Sequence, residues 1–324
     1  MQYQFTWEPT PPVSTGAEAR RVAVFALGVG SVFVCSVLAQ LAVSFLFSLL
    51  APALLGQIWF RLLASTLCLY LCGMLPGWLI LRRIPAEPID RHHLGAPALL
   101  ATISVSVVFL LVGSLAGNLV NAWLSFLTGE AIQNPVEELT GQTPLGVMAL
   151  CTVVLAPVAE ELFFRKAVMD RLRRYGDAPA ILISAVIFGL AHGNFSQFFY
   201  AFLLGLVFGA LYCRTGSVRY GIALHMAINF FGSVYSTLLL RRIGDATNLE
   251  ALLADPIALG MYLGDLAVYG LAILAFIPSM IYLLRRLHLR RWNSPYTLGQ
   301  WVRIVLCNPA VWLMVAVFVF QFLL

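Results

Sequence analysis

Charge is what this sequence has least of. Only 11% of its 324 residues are charged and 60% are hydrophobic, whereas soluble domains are about 25% charged. So few charged side chains cannot cover a globular surface in water, but a surface that faces lipid needs no polar coat. The composition therefore excludes a soluble domain and predicts an integral membrane protein.

Lysine is nearly missing as well. Lys166 is the only lysine among 20 basic residues, and the arginines cluster between apolar runs. A nucleic-acid surface needs a basic stripe with interleaved aromatic residues on a polar face, so we expect no nucleic-acid partner. The six cysteines contain no C-x-x-C pair, and they predict neither a disulfide framework nor a cysteine-based metal site.

Three motifs of membrane-embedded hydrolases are also missing. The chain contains neither the G-x-S-G of rhomboid-like serine enzymes nor the H-E-x-x-H of zinc enzymes. Asp265 follows Leu263 and Gly264 in an apolar run, without the second intramembrane aspartate that a presenilin-like pair needs. We therefore interpret Asp265 as a packing or helix-pairing residue.

Long apolar runs are abundant. Nine stretches approach the ~20 residues of a membrane-spanning helix, two of them being short: 22–49, 62–81, 96–120, 144–168, 178–192, 197–213, 218–240, 258–284 and 304–324. The longest polar connection, 127–143, is too short to bury a core of its own. The sequence predicts an all-α, polytopic transmembrane bundle of about eight or nine spans that forms a single membrane domain over residues 1–324.

Basic residues occur at alternate connections. They precede the first span and follow the second, fourth, sixth and eighth, as in Arg20, Arg82, Arg171, Arg214 and Arg285. Because cytoplasmic loops are enriched in Lys and Arg, we expect a cytoplasmic amino terminus. The preference for arginine over lysine favours a bacterial source, and hence the bacterial inner or plasma membrane.

Six polar residues interrupt three of the predicted spans. The fourth span carries Glu160, Glu161 and Arg165; the fifth ends at His192; the seventh carries His225 and Asn229. An ionisable side chain inside a span costs about 2.5 to 3.5 kcal/mol on insertion scales. Each of these residues alone has an ordinary explanation as a buried pair or as polar glue between helices, but their combination favours a functional site.

Helical spacing relates these residues to one another. Residues four apart lie one turn above each other, which places Glu161 beside Arg165, Phe188 beside His192 and His225 beside Asn229. Glu160 is left without a counter-ion on its own helix, which suits a proton-transferring carboxylate. Counted at 1.5 Å per residue, Glu160, His192 and His225 fall in one half of the membrane. We predict that they share a cytoplasm-facing cavity.

The motif residues resemble a known family. E-E-x-x-x-R at Glu160, Glu161 and Arg165, F-x-x-x-H at Phe188 and His192, and H-x-x-x-N at His225 and Asn229 are similar to the CPBP family of intramembrane endopeptidases. That family includes type II CAAX prenyl proteases and bacteriocin-processing or self-immunity proteins of the Abi type. The resemblance covers a core of about residues 144–240.

The resemblance implies hydrolysis of a peptide bond in a membrane-associated or C-terminal peptide substrate within the bilayer. The catalytic residues would be Glu160, Glu161, His192, His225 and Asn229. Glu160 and His192 would activate a water, and His225 and Asn229 would stabilise the oxyanion. Arg165 would orient Glu161, and Phe188 would be structural. Two imidazoles and a carboxylate can also ligate zinc. Family members are described as glutamate-type and as metallo-type, so a divalent metal such as zinc on Glu160, His192 and His225 stays open.

Two other functions remain open on the sequence. A non-catalytic self-immunity or scaffold protein would keep the bundle without cutting a substrate. An ion-coupled transporter also places Glu and His in the membrane, but we find neither the two related halves nor the paired broken helices that are typical of transporters.

Overall fold

The fold is described from a computed structural model, in which residues 14–87, 89–132, 143–244 and 248–323 are described. These residues form helices and no strand. The helical fold class predicted from composition is therefore confirmed. The polar connection over 127–143 lies partly outside the described residues.

Seven helices in the described residues are long and apolar enough to cross a membrane. The chain forms α1 (Thr15–Leu50), α2 (Ile58–Leu81), α3 (Ala96–Thr128), α4 (Leu145–Tyr175), α5 (Asp177–Leu190), α6 (Phe195–Thr215), α7 (Val218–Ile243), α8 (Pro256–Arg286), α9 (Leu298–Leu306) and α10 (Pro309–Leu323). Short helices at Pro52–Leu55 and Leu249–Ala254 lie in two of the connections.

Two predicted spans differ from the structure. The stretch predicted over 178–192 is the 14-residue helix α5, about 21 Å long, which is shorter than the ~30 Å hydrocarbon core. The last predicted span is a pair of helices, α9 and α10, bent by 63° at a short break. Among the described residues the span count is thus seven, or eight with the bent pair, against the eight or nine predicted.

The arginine-rich connections meet at one end of the bundle. Backbone N–H groups of Glu87, His92 and Asn293 donate to the carbonyl oxygens of Asp170, Thr215 and Tyr175. These bonds join the connections that follow α2, α4, α6 and α8. The guanidinium of Arg290 also contacts carboxylates of Glu87 and Asp177 at 2.9 and 3.2 Å. The alternation of charge along the sequence therefore corresponds to two opposite ends of the bundle.

Small residues let the helices around α6 approach closely. A methyl group placed on Gly113 of α3 would lie 2.4 Å from the Cα of Tyr200 on α6, and one on Gly205 would lie 2.9 Å from the Cα of Ala185 on α5. Without a hydrophobic driving force between helices in lipid, such close backbone packing holds helices together. It fixes the turn between α5 and α6 against the rest of the bundle.

We expect Gly113→Ala to destabilise the protein, because the new methyl group collides with the backbone of α6. Overpacking of this kind costs about 1 to 3 kcal/mol. Gly270→Ala is the matched control, since no atom of another helix in the described residues lies within 4 Å of the added methyl group. The thermal unfolding midpoint in detergent should fall for Gly113→Ala alone; equal midpoints for both variants would contradict the close contact.

Candidate active site

Glu161 and Arg165 form a fully buried ion pair on α4. Arg165 Nε donates to Glu161 Oε2 at 3.1 Å and Nη2 donates to Glu161 Oε1 at 3.3 Å. Both side chains are 0% exposed. The two bonds use the planar guanidinium and both carboxylate oxygens, a geometry that also fixes direction. The pair predicted from the four-residue spacing is therefore present.

Aromatic rings and a hydroxyl hold Arg165 in place. Its guanidinium carbon lies 5.4 Å from the ring centre of Phe188 on α5 and 5.9 Å from that of Phe208 on α6. Ring faces attract a cation, more strongly when water is excluded. Arg165 Nη1 also donates to Ser184 Oγ at 3.0 Å. Phe188, expected to be structural, thus packs on the cation that neutralises Glu161.

Glu160 lies beside this pair in a different environment. Its side chain is 13% exposed, against 0% for Glu161. The hydroxyl of Tyr70 on α2 donates to Glu160 Oε1 at 3.0 Å. Among the described residues, no arginine or lysine forms an ion pair with Glu160. One carboxylate is thus sealed and paired with a cation, whereas its neighbour accepts a hydrogen bond from a neutral hydroxyl and keeps some accessibility.

His225 of α7 lies between the two carboxylates. Its Nε2 is 3.8 Å from Glu160 Oε2 and its Nδ1 is 3.6 Å from Glu161 Oε1. Both distances are longer than a hydrogen bond, and Nδ1 is buried without a closer partner. A glycine one turn earlier makes room, because a methyl group on Gly221 would lie 2.6 Å from Glu161 Oε2.

His192 follows α5, at the turn into α6. Its Nδ1 is 2.8 Å from the carbonyl oxygen of Phe188. A carbonyl oxygen only accepts, so Nδ1 carries the hydrogen and Nε2 of the neutral ring has a free lone pair. The turn continues through Gly193 at a φ of +66°, and Gln321 Nε2 of α10 donates to the carbonyl oxygen of Ala191.

Asn229 lies one turn beyond His225 on α7. Its Nδ2 donates to the carbonyl oxygen of Thr152 at 2.8 Å. Thr152 lies in a π-helical segment of α4, Ala149–Leu155, five residues before Pro157. In a π-helix a carbonyl pairs with the N–H five residues later, and proline has none. The Asn229 side chain therefore donates to a carbonyl oxygen close to Pro157, and its amide group retains a second N–H.

A lateral groove of about 550 Å³ is lined by neighbours of the predicted site residues and not by those residues themselves. It lies between α1, α2 and α10, and its walls include Tyr70 and Ala191, the neighbour of His192. Exposed apolar residues form its rim: Val34, Val37, Leu38 and Phe320. This open space therefore faces the lipid side of the bundle, and the predicted cytoplasm-facing cavity remains a prediction.

The residues predicted for a metal do not form a ready ligand set. In the part of the chain that the structure describes, no three His, Cys, Asp or Glu side chains group closely enough to hold an ion. Glu160 and His225 are neighbours at 3.8 Å, but His192 forms no contact within 4.0 Å with either carboxylate among the described residues. Glu161 is occupied by Arg165. We therefore derive no catalytic step through a metal.

The structure brings the predicted residues to one region. Glu160, Glu161 and His225 contact one another, and the ring centre of Phe188 lies 5.1 Å from that of His192 and 5.9 Å from that of His225. The intramembrane Asp265 lies elsewhere, on α8 near Tyr235 and Tyr269. The sequence did not reveal five neighbours of the site: Tyr70, Ser184, Phe208, Gly221 and Gln321.

Comparisons with known proteins point to the same stretch. Residues 142–231 match a family model described as type II CAAX prenyl endopeptidase Rce1-like. The matched stretch contains all three motifs and confirms the family resemblance that they indicated. No solved structure matches the chain.

Two curated proteins are similar to part of the chain. One is YdiL of Bacillus subtilis (strain 168), whose name gives it a provisional role as a membrane peptidase. It is 27% identical to this chain over 157 residues, which is 47% of this chain and 63% of that protein. The UPF0177 protein YxdF of Lactococcus lactis subsp. lactis (strain IL1403) is 27% identical over 98 residues, 30% of this chain and 54% of that protein. The chain thus spans less than two thirds of either relative.

We expect Arg165→Met to be strongly destabilising, because it leaves the Glu161 carboxylate buried without a cation. Breaking one partner of a buried pair costs about 3 to 5 kcal/mol. The double variant Arg165→Met/Glu161→Gln should recover most of the stability, since it leaves no buried charge. Thermal unfolding in detergent measures both variants, and a double variant as unstable as the single one would contradict this explanation.

Proposed function

We propose that this membrane protein is an intramembrane endopeptidase and that it uses Glu160 and His192 to activate water. The premise is that residues 142–231 form an Rce1-like domain. The supporting observation is that two adjacent carboxylates differ in exposure and in their partners. Glu161 is sealed against Arg165, whereas Glu160 keeps 13% exposure and forms no ion pair with an arginine or lysine of the described residues. A proton-transferring group needs both access and an uncancelled charge.

Water activation is assigned to Glu160 and the free Nε2 of His192. Glu160 Oε1 accepts the Tyr70 hydrogen bond, which leaves Oε2 to take a proton from a water. Nε2 of His192 accepts the second hydrogen of that water and orients it. The water oxygen then forms a bond to the carbonyl carbon of the peptide, and the electrons of the C=O double bond move to the oxygen.

The resulting oxyanion needs hydrogen-bond donors. His225 and the second N–H of Asn229 are the candidates, because donors fixed in advance stabilise charge that develops in the transition state. Collapse of the tetrahedral intermediate restores the C=O bond and breaks the C–N bond. The departing nitrogen takes the proton from Glu160, which returns the carboxylate to its starting state.

The substrate proposed for this site is a membrane-associated or C-terminal peptide. The groove beside Tyr70 is open to the lipid side, so a substrate that is anchored in the bilayer can approach without crossing a polar surface. Zinc held by Glu160, His192 and His225 is the alternative chemistry. The donor positions described above give it less support than water activation by carboxylate and imidazole.

Two non-peptidase functions are the competing proposals. A self-immunity or scaffold protein would need the bundle but not the separate environments of Glu160 and Glu161. An ion-coupled transporter would need a path for the ion, and the sealed Glu161–Arg165 pair supplies none. Both proposals are tested by the same variants, because neither depends on peptide cleavage.

Glu160→Gln should lower kcat for peptide cleavage by about 10² to 10⁴, the usual contribution of general acid–base catalysis. Asp265→Asn is the matched control, since it also removes an intramembrane carboxylate but lies away from the site. The assay is cleavage of a peptide library by protein purified in detergent, with metal analysis of the same sample. Equal cleavage by Glu160→Gln and wild type would overturn the proposed role, and stoichiometric zinc whose removal abolishes cleavage would favour the metal alternative.

The proposed location is the inner or plasma membrane of a bacterium, with the amino terminus cytoplasmic. The support is the concentration of arginine at one end of the bundle. An N-terminal tag should be cut by added protease in inside-out vesicles and protected in right-side-out vesicles. The opposite pattern would reverse the orientation.

A further inference from the structure

Glu160 receives its hydrogen bond from a helix outside the three motifs. The donor is Tyr70 of α2, 90 positions earlier in the chain, whose hydroxyl lies 3.0 Å from Glu160 Oε1. Among the described residues this is the one hydrogen bond to the Glu160 side chain. The family-like core therefore contains the carboxylate but not the group that holds it.

The chemical group that donates to each carboxylate affects how well that carboxylate accepts a proton. A guanidinium cancels the charge of Glu161, and a carboxylate held in that way is a poor proton acceptor. A phenol hydroxyl is neutral, so it orients the Glu160 carboxylate without cancelling its charge. A hydrogen bond to an ionised group is also about twice as strong as one between neutral groups. The two carboxylates thus receive partners suited to different tasks.

The Tyr70 bond also distinguishes the two oxygens of Glu160. Oε1 is occupied by the hydroxyl, whereas Oε2 lies on the side of His225, at 3.8 Å from Nε2. With the carboxylate held at Oε1, the oxygen that faces His225 is the one left to accept a proton. Rotation of the carboxylate would otherwise exchange the two oxygens.

The backbone around Tyr70 is held firmly. Tyr70 lies in a π-helical segment of α2, Cys68–Met74, and this segment packs against α1. A methyl group on Gly73 would lie 2.4 Å from the carbonyl oxygen of Val32, and one on Gly77 would lie 2.7 Å from that of Gly28. Contacts this close leave α2 little freedom to slide along α1, so the phenol is presented from a rigid pair of helices.

Tyr70 also lies in the wall of the lateral groove, together with Ala191 beside His192. The groove therefore reaches the partner of Glu160 and the neighbour of His192 from the same side. A substrate in the groove would contact the Tyr70 ring while its peptide bond approaches the carboxylate.

We propose that Tyr70 is a positioning residue that holds Glu160 for proton transfer from water. This inference rests on the proposed peptidase function. It predicts that loss of the hydroxyl impairs the chemical step and leaves the fold and the binding of substrate largely unchanged, because the ring still lines the groove.

Tyr70→Phe tests this role in the full-length protein. We expect kcat for peptide cleavage to fall on the order of ten- to a hundredfold, the effect of losing one hydrogen bond to a charged group, with KM changed less than threefold. Tyr235→Phe is the matched control, because it removes an intramembrane phenol hydroxyl that donates to the Met261 carbonyl oxygen at 2.8 Å outside the site. An unchanged kcat for Tyr70→Phe, or an equal fall for Tyr235→Phe, overturns the assignment.

Repeating the Tyr70→Phe substitution in a second variant, Glu160→Asp, distinguishes a positioning role from a general packing role. Glu160→Asp shortens the side chain and withdraws the carboxylate from Tyr70, so adding Tyr70→Phe to it should cause little further loss, whereas independent effects would multiply. Multiplied losses overturn the inference. Failure of the proposed function is distinguishable, since wild type and Glu160→Gln would then cleave equally, whereas failure of this inference alone leaves Glu160→Gln impaired and Tyr70→Phe unchanged.

Discussion

The structure depends on the way that a membrane helix accommodates two adjacent carboxylates. Lipid offers no water to solvate them, so each needs a partner from protein. Glu161 receives the guanidinium of Arg165 at 3.1 Å, and the site is built around that buried pair. Phe188 and Phe208 enclose the cation. The neighbouring Glu160 instead lies near a histidine and a phenol.

The path of the chain brings the other groups to the same site. Helix α5 ends after 14 residues, and the turn that follows it carries His192. Helix α7 runs beside α4 and places His225 between the carboxylates, where Gly221 leaves room. Helix α2 contributes Tyr70 from outside the family-like core. The site is therefore shared by four parts of the bundle.

Sequence reasoning succeeded where neighbours lie on one helix. The four-residue spacing identified the Glu161–Arg165 pair, and alternating arginines identified the two ends of the bundle. It missed individual contacts between helices, because periodicity says which face a residue occupies but not which helix covers that face. Tyr70 is one tyrosine in an apolar run, and nothing in its surroundings indicates a partner 90 positions away. Asn229 was predicted near an oxyanion, and its bond to the Thr152 carbonyl depends on a π-helical segment that the apolar pattern does not reveal.

The central claim is that Glu160, His192 and His225 face one hydrated space inside the bilayer. An experimental structure of the protein in lipid, at a resolution that shows ordered water, tests it most directly. The account predicts a water in hydrogen-bonding distance of Glu160 and His192 Nε2, with Glu160 Oε2 still close to the 3.8 Å separation from His225. Side chains directed into separate spaces, with no water shared between them, would contradict it.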